Sequence, residues 1–162
     1  MRLDALAAPR VVPDRRQSPT ALAVARGTTR LLCSLGFATI GELPLASGRR
    51  ADLVGLGGRG DVWIVEIKSS IEDFRADHKW PDYRLHCDRL FFATAPCVPP
   101  QIFPCDAGLI VADAFGAAVL REAPEHRLAA ATRKSLVLRF AHAAAARLQV
   151  AVDPAGAYGE AP

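Results

Sequence analysis

Two strand-like runs separated by a glycine-rich turn most constrain how this chain can fold. Residues 50–56 and 61–69 are rich in valine, isoleucine and leucine, and Gly57-Gly58-Arg59-Gly60 stands between them. Apolar runs on either side of such a turn predict a β-hairpin. A third run at residues 39–45, followed by the turn Ala46-Ser47-Gly48, extends the hairpin to a three-stranded meander.

Helices are predicted before and after this meander in the sequence. Ser18-Pro19 has the chemistry of a helix start, and an apolar stripe continues from it to Gly36. A second helix is predicted from about Ile71 to Lys79 and an alanine-rich helix from about Leu128 to Leu148. Together with further strands at 88–95, 108–113 and 117–121, this order predicts an α/β fold, a mixed β-sheet flanked by helices.

Length and composition favour one cytoplasmic domain. We expect a flexible N-terminal tail at 1–17, a single domain at 18–150 and a flexible C-terminal tail at 151–162. The sequence contains no apolar run of about 18 residues, so we expect no membrane span. Residues 1–19 lack the apolar stretch of a secretory signal. The four cysteines contain no Cys-x-x-Cys pair, which suits a reducing compartment, and His86-Cys87-Asp88 lacks partners for a metal site.

Two carboxylates and an amine lie toward one end of the hairpin strands. Asp52 is on the first strand, and Glu66 and Lys68 share a face of the second because they are two residues apart. Two carboxylates can hold Mg²⁺ (or Mn²⁺), and an amine can orient or deprotonate a water. Glu42, on the preceding strand, is a candidate further carboxylate. The alternative is that these are solvated charges or a salt bridge with Arg49 or Lys68.

The register of the hairpin decides whether this site can form. If Leu56 pairs with Asp61 across a four-residue turn, Asp52 faces Val65 rather than Glu66. One extra residue in the turn brings Asp52 opposite Glu66, and the glycines make that insertion inexpensive. We therefore expect an irregular ladder or a distorted pairing here. Carboxylates on opposite faces would count against the site.

The arrangement resembles the PD-(D/E)xK nuclease superfamily, which has the restriction-endonuclease-like fold. Ala51-Asp52 corresponds to the Pro-Asp half of that motif, and Glu66-Ile67-Lys68 to the second half. More narrowly, the chain resembles the MmcB-like family of bacterial DNA repair proteins over residues 20–150. The segments that carry this resemblance are Gly48-Arg49-Arg50-Ala51-Asp52-Leu53, Trp63-Ile64-Val65-Glu66-Ile67-Lys68-Ser69-Ser70, Asp73-Phe74-Arg75-Ala76-Asp77, Lys79-Trp80-Pro81-Asp82-Tyr83 and Cys87-Asp88-Arg89-Leu90-Phe91-Phe92.

The resemblance implies a DNA repair role and a metal-dependent endonuclease core. Asp52, Glu66 and the Ile67 carbonyl would hold one or two Mg²⁺ ions, with Glu42 as a further ligand, and Lys68 would stabilise or deprotonate the attacking water. The resemblance does not by itself establish cleavage, because superfamily members include inactive binders. The alternatives are a catalytically inactive DNA-binding repair accessory protein and a protein–protein adaptor.

The expected partner is DNA, whether damaged, branched or single-stranded, which places the protein at the nucleoid. Cations interleaved with aromatic residues after Lys68 suit phosphate binding and stacking on an unpaired base, whereas core packing of the aromatics is the alternative. A homodimer is a further candidate assembly, because two DNA strands need two sites. The residues predicted to contact DNA are Arg49, Arg50, Arg75, Lys79, Trp80 and Tyr83.

Overall fold

The computed structural model describes residues 17–155, and its strands form one six-stranded sheet in chain order. The strands are β1 Phe37–Pro44, β2 Arg50–Gly57, β3 Val62–Lys68, β4 Arg89–Thr94, β5 Gly108–Ala112 and β6 Ala117–Arg121. β1, β2 and β3 form the predicted antiparallel meander, β3, β4 and β5 run parallel, and β6 pairs antiparallel with β5. The predicted mixed α/β sheet is confirmed.

Within residues 17–155, three α-helices pack around this sheet. They are α1 Pro19–Ser34, α2 Ile71–Ala76 and α3 Ala130–Val152, with 3₁₀ turns at Trp80–His86 and Pro100–Ile102. α1 begins as predicted, because the Ser18 hydroxyl accepts the Ala21 N–H at 3.1 Å and Pro19 occupies the first turn. Gly36 follows it with a φ of 85°, in the left-handed region that glycine tolerates.

The second helix is shorter than predicted, so the extension to Lys79 is wrong. α2 ends at Ala76, and Asp77 has extended backbone geometry with φ −91° and ψ 101°. The Asp77 carboxylate accepts the Lys79 N–H at 2.8 Å, a local hydrogen bond that competes with helical continuation. Pro81 has no backbone N–H, so it could not donate the hydrogen bond of a continuing α-helix.

The two faces of the sheet are covered by different helices. Val54 and Ile64 pack with Leu136 of α3 on one face, while α1 residues pack against the other. Asp52 and Glu66 each lie two residues from Val54 and Ile64 along their strands, and therefore on the α3 face of the sheet. The carboxylates accordingly lie at the end of a buried sheet face.

α1 packs closely against the β5–β6 turn at Gly27. A Cβ atom at that position would lie 2.2 Å from the Asp113 carbonyl oxygen and 2.4 Å from that of Gly116. Glycine weakens a helix interior by about 1 kcal/mol relative to alanine. Here the helix contains glycine because a side chain would collide with backbone atoms.

The last helix, α3, extends beyond the predicted end of the domain. α3 continues to Val152, two residues beyond the predicted domain end at 150. Residues 1–16 and 156–162, which make up most of the predicted tails, lie outside the described residues. Between residues 17 and 155, no helix is both long enough and apolar enough to cross a membrane.

Candidate active site

The register of β2 and β3 is the one that the predicted site requires. Leu56 pairs with Val62 and not with Asp61, so the turn is one residue longer than the four-residue alternative. Continued toward the start of β2, this register places Asp52 opposite Glu66 on one face of the sheet. The ladder is regular over its four pairs, so the extra residue enters at the turn and not through a bulge. It stops at Leu53–Val65, and beyond that pair the Asp52 and Ile67 N–H groups bond to side-chain carboxylates instead.

Backbone N–H groups of the facing strand hold the two carboxylates. Ile67 N–H donates to Asp52 Oδ2 at 2.8 Å, and Asp52 N–H donates to Glu66 Oε1 at 3.2 Å. Glu66 is 3% exposed and Asp52 is partly buried. Within residues 17–155, Asp52 Oδ1 and Glu66 Oε2 receive no hydrogen bond. Two carboxylates therefore converge, each with one oxygen that the described protein leaves available.

Burial and mutual repulsion disfavour the charged forms of this pair. Burial and then the Asp52 carboxylate raise the pKa of Glu66 to about 9, although a backbone hydrogen bond and Lys68 oppose the shift. Burial also raises the pKa of Asp52 above its ordinary value. Without a cation the pair therefore retains a proton near neutral pH. A bound cation would favour full ionisation in place of that proton.

The donor set fits a hard divalent cation in part. Carboxylate oxygens are the ligands that Mg²⁺ and Mn²⁺ prefer, and the two available oxygens lie on facing strands. No group of three histidine, cysteine, aspartate or glutamate side chains in the described chain is arranged to hold a metal. The protein thus offers two carboxylates, and Mg²⁺ commonly completes such a shell with water and substrate phosphate.

Lys68 is buried beside the pair and is held by Asp77. Its Nζ lies 2.6 Å from Asp77 Oδ2, and the two side chains are only 7% and 16% exposed. Burial would lower the pKa of Lys68, but the hydrogen bond and charge of Asp77 outweigh it, so the pKa is raised. Lys68 is therefore an ammonium, which favours stabilisation of charge over deprotonation of water.

Glu42 does not join the carboxylate pair. Its backbone has a φ of 51°, and its Oε1 accepts a hydrogen bond from Gln17 at 2.9 Å and lies 3.9 Å from Arg50. Arg147 donates to the neighbouring Gly41 carbonyl at 2.6 Å. These contacts direct Glu42 to other partners, so its predicted part in a three-carboxylate metal site finds no support in the described residues.

The predicted DNA-contact cations differ in how they are engaged. Arg49 forms an ion pair with Asp82 at 2.8 Å, and Arg50 lies 3.9 Å from Glu42. The other two, Arg75 in α2 and Lys79 before the first 3₁₀ turn, are exposed. Both exposed cations belong to the segment between β3, which carries Glu66, and the first 3₁₀ turn.

The structure corrects the predicted role of Tyr83. Its side chain belongs to the core and is 7% exposed, and its hydroxyl donates to the Arg50 carbonyl at 3.0 Å. Burial and the nearby Glu66 and Asp52 carboxylates raise its pKa, so Tyr83 is neutral, and its burial leaves no ring face for a base to stack on. Trp80 is partly buried, meets Phe92 edge-on at 5.4 Å, and has the Arg84 guanidinium 5.5 Å from its ring centre.

The Asp88 carboxylate joins three segments of the chain, a role that the sequence analysis did not identify. It is 4% exposed and binds the Arg133 guanidinium at 2.6 and 2.8 Å, the Val62 N–H at 2.8 Å and the Leu128 N–H at 2.9 Å. Burial would raise its pKa, but Arg133 and the N–H groups lower it to about 2. The available signal was Arg133 itself, a cation near a helix start, where the dipole disfavours it.

Two adjoining clefts lie at the opposite end of β3 from the carboxylates. Their volumes are about 460 and 330 Å³, and both are lined by Arg59, Asp61, Asp88 and Glu125. None of the predicted site residues lines either cleft. The carboxylate pair is therefore separate from these clefts.

Comparison with known proteins identifies the family. A family model described as "DNA repair protein MmcB-like" matches residues 8–155. The chain belongs to the MmcB-like family. The SPO1766 protein of unknown function from Silicibacter pomeroyi is 42% identical, with a TM-score of 0.83 over 90% of this chain and 97% of that one. A repair endonuclease from Pyrococcus abyssi is a distant likeness, 18% identical with a TM-score of 0.35 over 55% of this chain and 42% of that one. No curated protein matches.

The family match confirms the resemblance to the MmcB-like family that the segments between Gly48 and Phe92 carried. This MmcB-like chain is accordingly a member of a DNA repair family, and its predicted sheet architecture is present. The identity of the metal, the cleavage reaction and the roles of individual residues go beyond what family membership supplies.

Proposed function

We propose that this MmcB-like protein is a Mg²⁺- or Mn²⁺-dependent deoxyribonuclease that hydrolyses phosphodiester bonds in damaged, branched or single-stranded DNA. The observation that carries the proposal is the pair of buried Glu66 and partly buried Asp52, which face each other with one available oxygen each beside the Lys68 ammonium. Membership of a DNA repair family supports DNA as the substrate and the nucleoid as the place of action.

The residues at the site have distinct roles in this proposal. Asp52 and Glu66 would hold the cation, with the Ile67 carbonyl as a further ligand. When bound, the cation would polarise the scissile phosphate and lower the pKa of a water. Lys68, kept protonated by Asp77, would donate hydrogen bonds to phosphate oxygens that gain negative charge during hydrolysis.

Exposed cations next to the site would bind the DNA backbone. Arg75 and Lys79 follow β3 in sequence and are exposed, which suits contact with phosphates. Arg49 and Arg50 have carboxylate partners in Asp82 and Glu42, and a phosphate would compete with those partners. Such an interface is electrostatic, so affinity for DNA should fall steeply as salt rises.

A non-catalytic DNA-binding repair accessory protein is the second candidate. The observation that favours it is the lack of a third acidic, histidine or cysteine ligand near the pair in the described residues. Two carboxylates alone bind a divalent cation more weakly than three. In that case the fold and the DNA contacts would remain while turnover is lost.

Cleavage assays with matched variants test the proposal. Branched, nicked, abasic and single-stranded DNA should be incubated with pure protein in Mg²⁺, Mn²⁺ or EDTA. We expect metal-dependent cleavage by the wild type and a loss of at least about 100-fold in Asp52→Asn and Glu66→Gln. Glu72→Gln removes an exposed charge from α2 and should leave cleavage unchanged.

Three outcomes separate the candidates. Cleavage that survives in both carboxylate variants refutes the proposed site. Salt-sensitive DNA binding without cleavage by any variant favours the accessory protein. Neither binding nor cleavage on any of the four substrates favours a protein–protein adaptor.

A further inference from the structure

The ion pair between Lys68 and Asp77 links the end of β3 to the residue that follows α2. Lys68 is the last residue of β3, and Asp77 follows the last residue of α2. Their 2.6 Å contact is largely buried, at 7% and 16% exposure of the side chains. An exposed ion pair contributes little to stability, but a buried one requires defined geometry from both partners.

Both ends of this contact are fixed by further hydrogen bonds. The Lys68 carbonyl accepts the Thr94 hydroxyl at 2.7 Å, and Lys68 pairs with Thr94 in the parallel ladder. Asp77 N–H donates to the Phe74 carbonyl at 3.1 Å, and Asp77 Oδ1 accepts the Lys79 N–H at 2.8 Å. One carboxylate oxygen is thus used to fix Asp77, and the other receives the ammonium.

Asp77 and the Asp52–Glu66 pair, which keeps one negative charge while it holds a single proton, compete for the Lys68 ammonium. Lys68 shares a strand face with Glu66 and is attracted to its carboxylate as well as to that of Asp77. Among the described residues, the only carboxylate within 4.0 Å of Lys68 Nζ is that of Asp77. An ammonium drawn into the Asp52–Glu66 pair instead would occupy the position that a divalent cation needs.

We propose that Asp77 is a positioning residue that holds the Lys68 ammonium beside the Asp52–Glu66 pair and keeps it from entering that pair. This inference rests on the proposed function, because it assigns Asp77 to the same site. Asp77 touches neither the scissile phosphate nor the cation in this arrangement. It acts through Lys68, so removing Asp77 should matter only while Lys68 is present.

The state of the Lys68 ammonium is directly measurable. The chain has three lysines, and the other two, Lys79 and Lys134, are exposed, so their ammonium protons exchange rapidly with water. In protein labelled with ¹⁵N-lysine, one slowly exchanging ammonium signal is expected, from Lys68. Asp77→Asn should move this signal to a different chemical shift or remove it, Asp77→Glu should restore it in part, and Glu72→Gln should leave it unchanged. A signal whose chemical shift and exchange rate are the same in Asp77→Asn as in the wild type overturns the proposal.

Mn²⁺ binding measured by electron paramagnetic resonance tests the consequence for the pair without any cleavage. Asp77→Asn should weaken Mn²⁺ binding about fivefold or more. In a Lys68→Met background the same Asp77→Asn change should alter the Kd by less than about twofold, because the competing ammonium is gone. Thermal melting of each variant checks that it is folded.

The outcomes distinguish this inference from the proposed function. If the wild type binds Mn²⁺ but cleaves no DNA, the nuclease proposal fails while the mutant cycle still supports the role of Asp77. If Asp77→Asn weakens Mn²⁺ binding equally with and without Lys68, Asp77 acts through its own charge and the positioning role is wrong. Failure of the wild type to bind Mn²⁺ overturns the positioning role and the metal site together.

Discussion

Replacing Glu66 with glutamine should stabilise the metal-free protein at neutral pH. Burial and the nearby Asp52 carboxylate raise the pKa of Glu66 to about 9, against an ordinary value of 4.5. Between those two pH values, folding forces the side chain to take up a proton that the unfolded chain has released. The free energy of unfolding therefore falls with rising pH in this window, by up to about 1.4 kcal/mol per pH unit.

The size of this stability change follows from the difference between pH 7 and the ordinary glutamate pKa of 4.5. If Glu66 titrated independently of Asp52, its raised pKa would lower the free energy of unfolding by about 3 kcal/mol at pH 7. Asp52 and Glu66 titrate together, so we expect the Glu66→Gln variant to be about 2 kcal/mol more stable than the wild type. Below pH 4.5 the glutamate is protonated in both states, and the difference should vanish.

Urea denaturation at pH 4.5 and pH 7 in EDTA measures this difference. Glu72→Gln, which removes an exposed carboxylate, should show no comparable gain at pH 7. Saturating Mn²⁺ should stabilise the wild type and not Glu66→Gln, because only the wild type keeps both ligands. A Glu66→Gln variant that is less stable than the wild type at pH 7, or equally more stable at both pH values, would refute the reasoning.

Three further stability predictions can be checked by urea denaturation. Asp88→Asn should cost about 2 kcal/mol at pH 7, because the folded pKa of Asp88 is about 2 against an ordinary 3.8; the wild-type contribution is complete above about pH 4 and is lost as pH falls toward 2. Thr28→Val should add about 1 kcal/mol, because the buried Thr28 hydroxyl has no hydrogen-bond partner among the described residues. Gly27→Ala should cost about 2 to 3 kcal/mol, because its Cβ would lie 2.2 Å from the Asp113 carbonyl oxygen.

Each of these predictions has a contradicting result. For Asp88, it is a variant as stable as the wild type at pH 7, or a loss that is the same at pH 2 and pH 7. For Thr28, it is a valine variant of lower stability, which would mean that the hydroxyl is satisfied in solution. For Gly27, it is an alanine variant that gains stability from helix propensity alone.

Local patterns predicted the elements of the sheet well because strands and turns are encoded by neighbouring residues. The three meander runs and their glycine-rich turns match β1, β2 and β3 within two residues at each end. The first helix was predicted equally well, because Ser18 caps it and Pro19 is its first residue. The second helix was not, because the side-chain bond from Asp77 to the Lys79 backbone ends it early.

Burial and pairing partners were the features that local patterns left open. Tyr83 was predicted to contact DNA from its place among cations, yet it packs in the core, because the 3₁₀ turn directs it toward the sheet. Asp88 and Arg133 are 45 residues apart in the chain and meet only in the folded protein. No spacing rule relates residues at such a separation.

The chain by itself determined which chemistry is available: two carboxylates and an amine near the ends of adjacent strands, and a family motif around them. The tertiary structure decided how these groups are used. It placed Asp52 opposite Glu66 through one added turn residue, turned Glu42 toward Gln17 and Arg50, and put Lys68 on Asp77. The physical reason is that residue type follows from the chain, whereas burial, register and the nearest opposite charge depend on segments that meet only after folding.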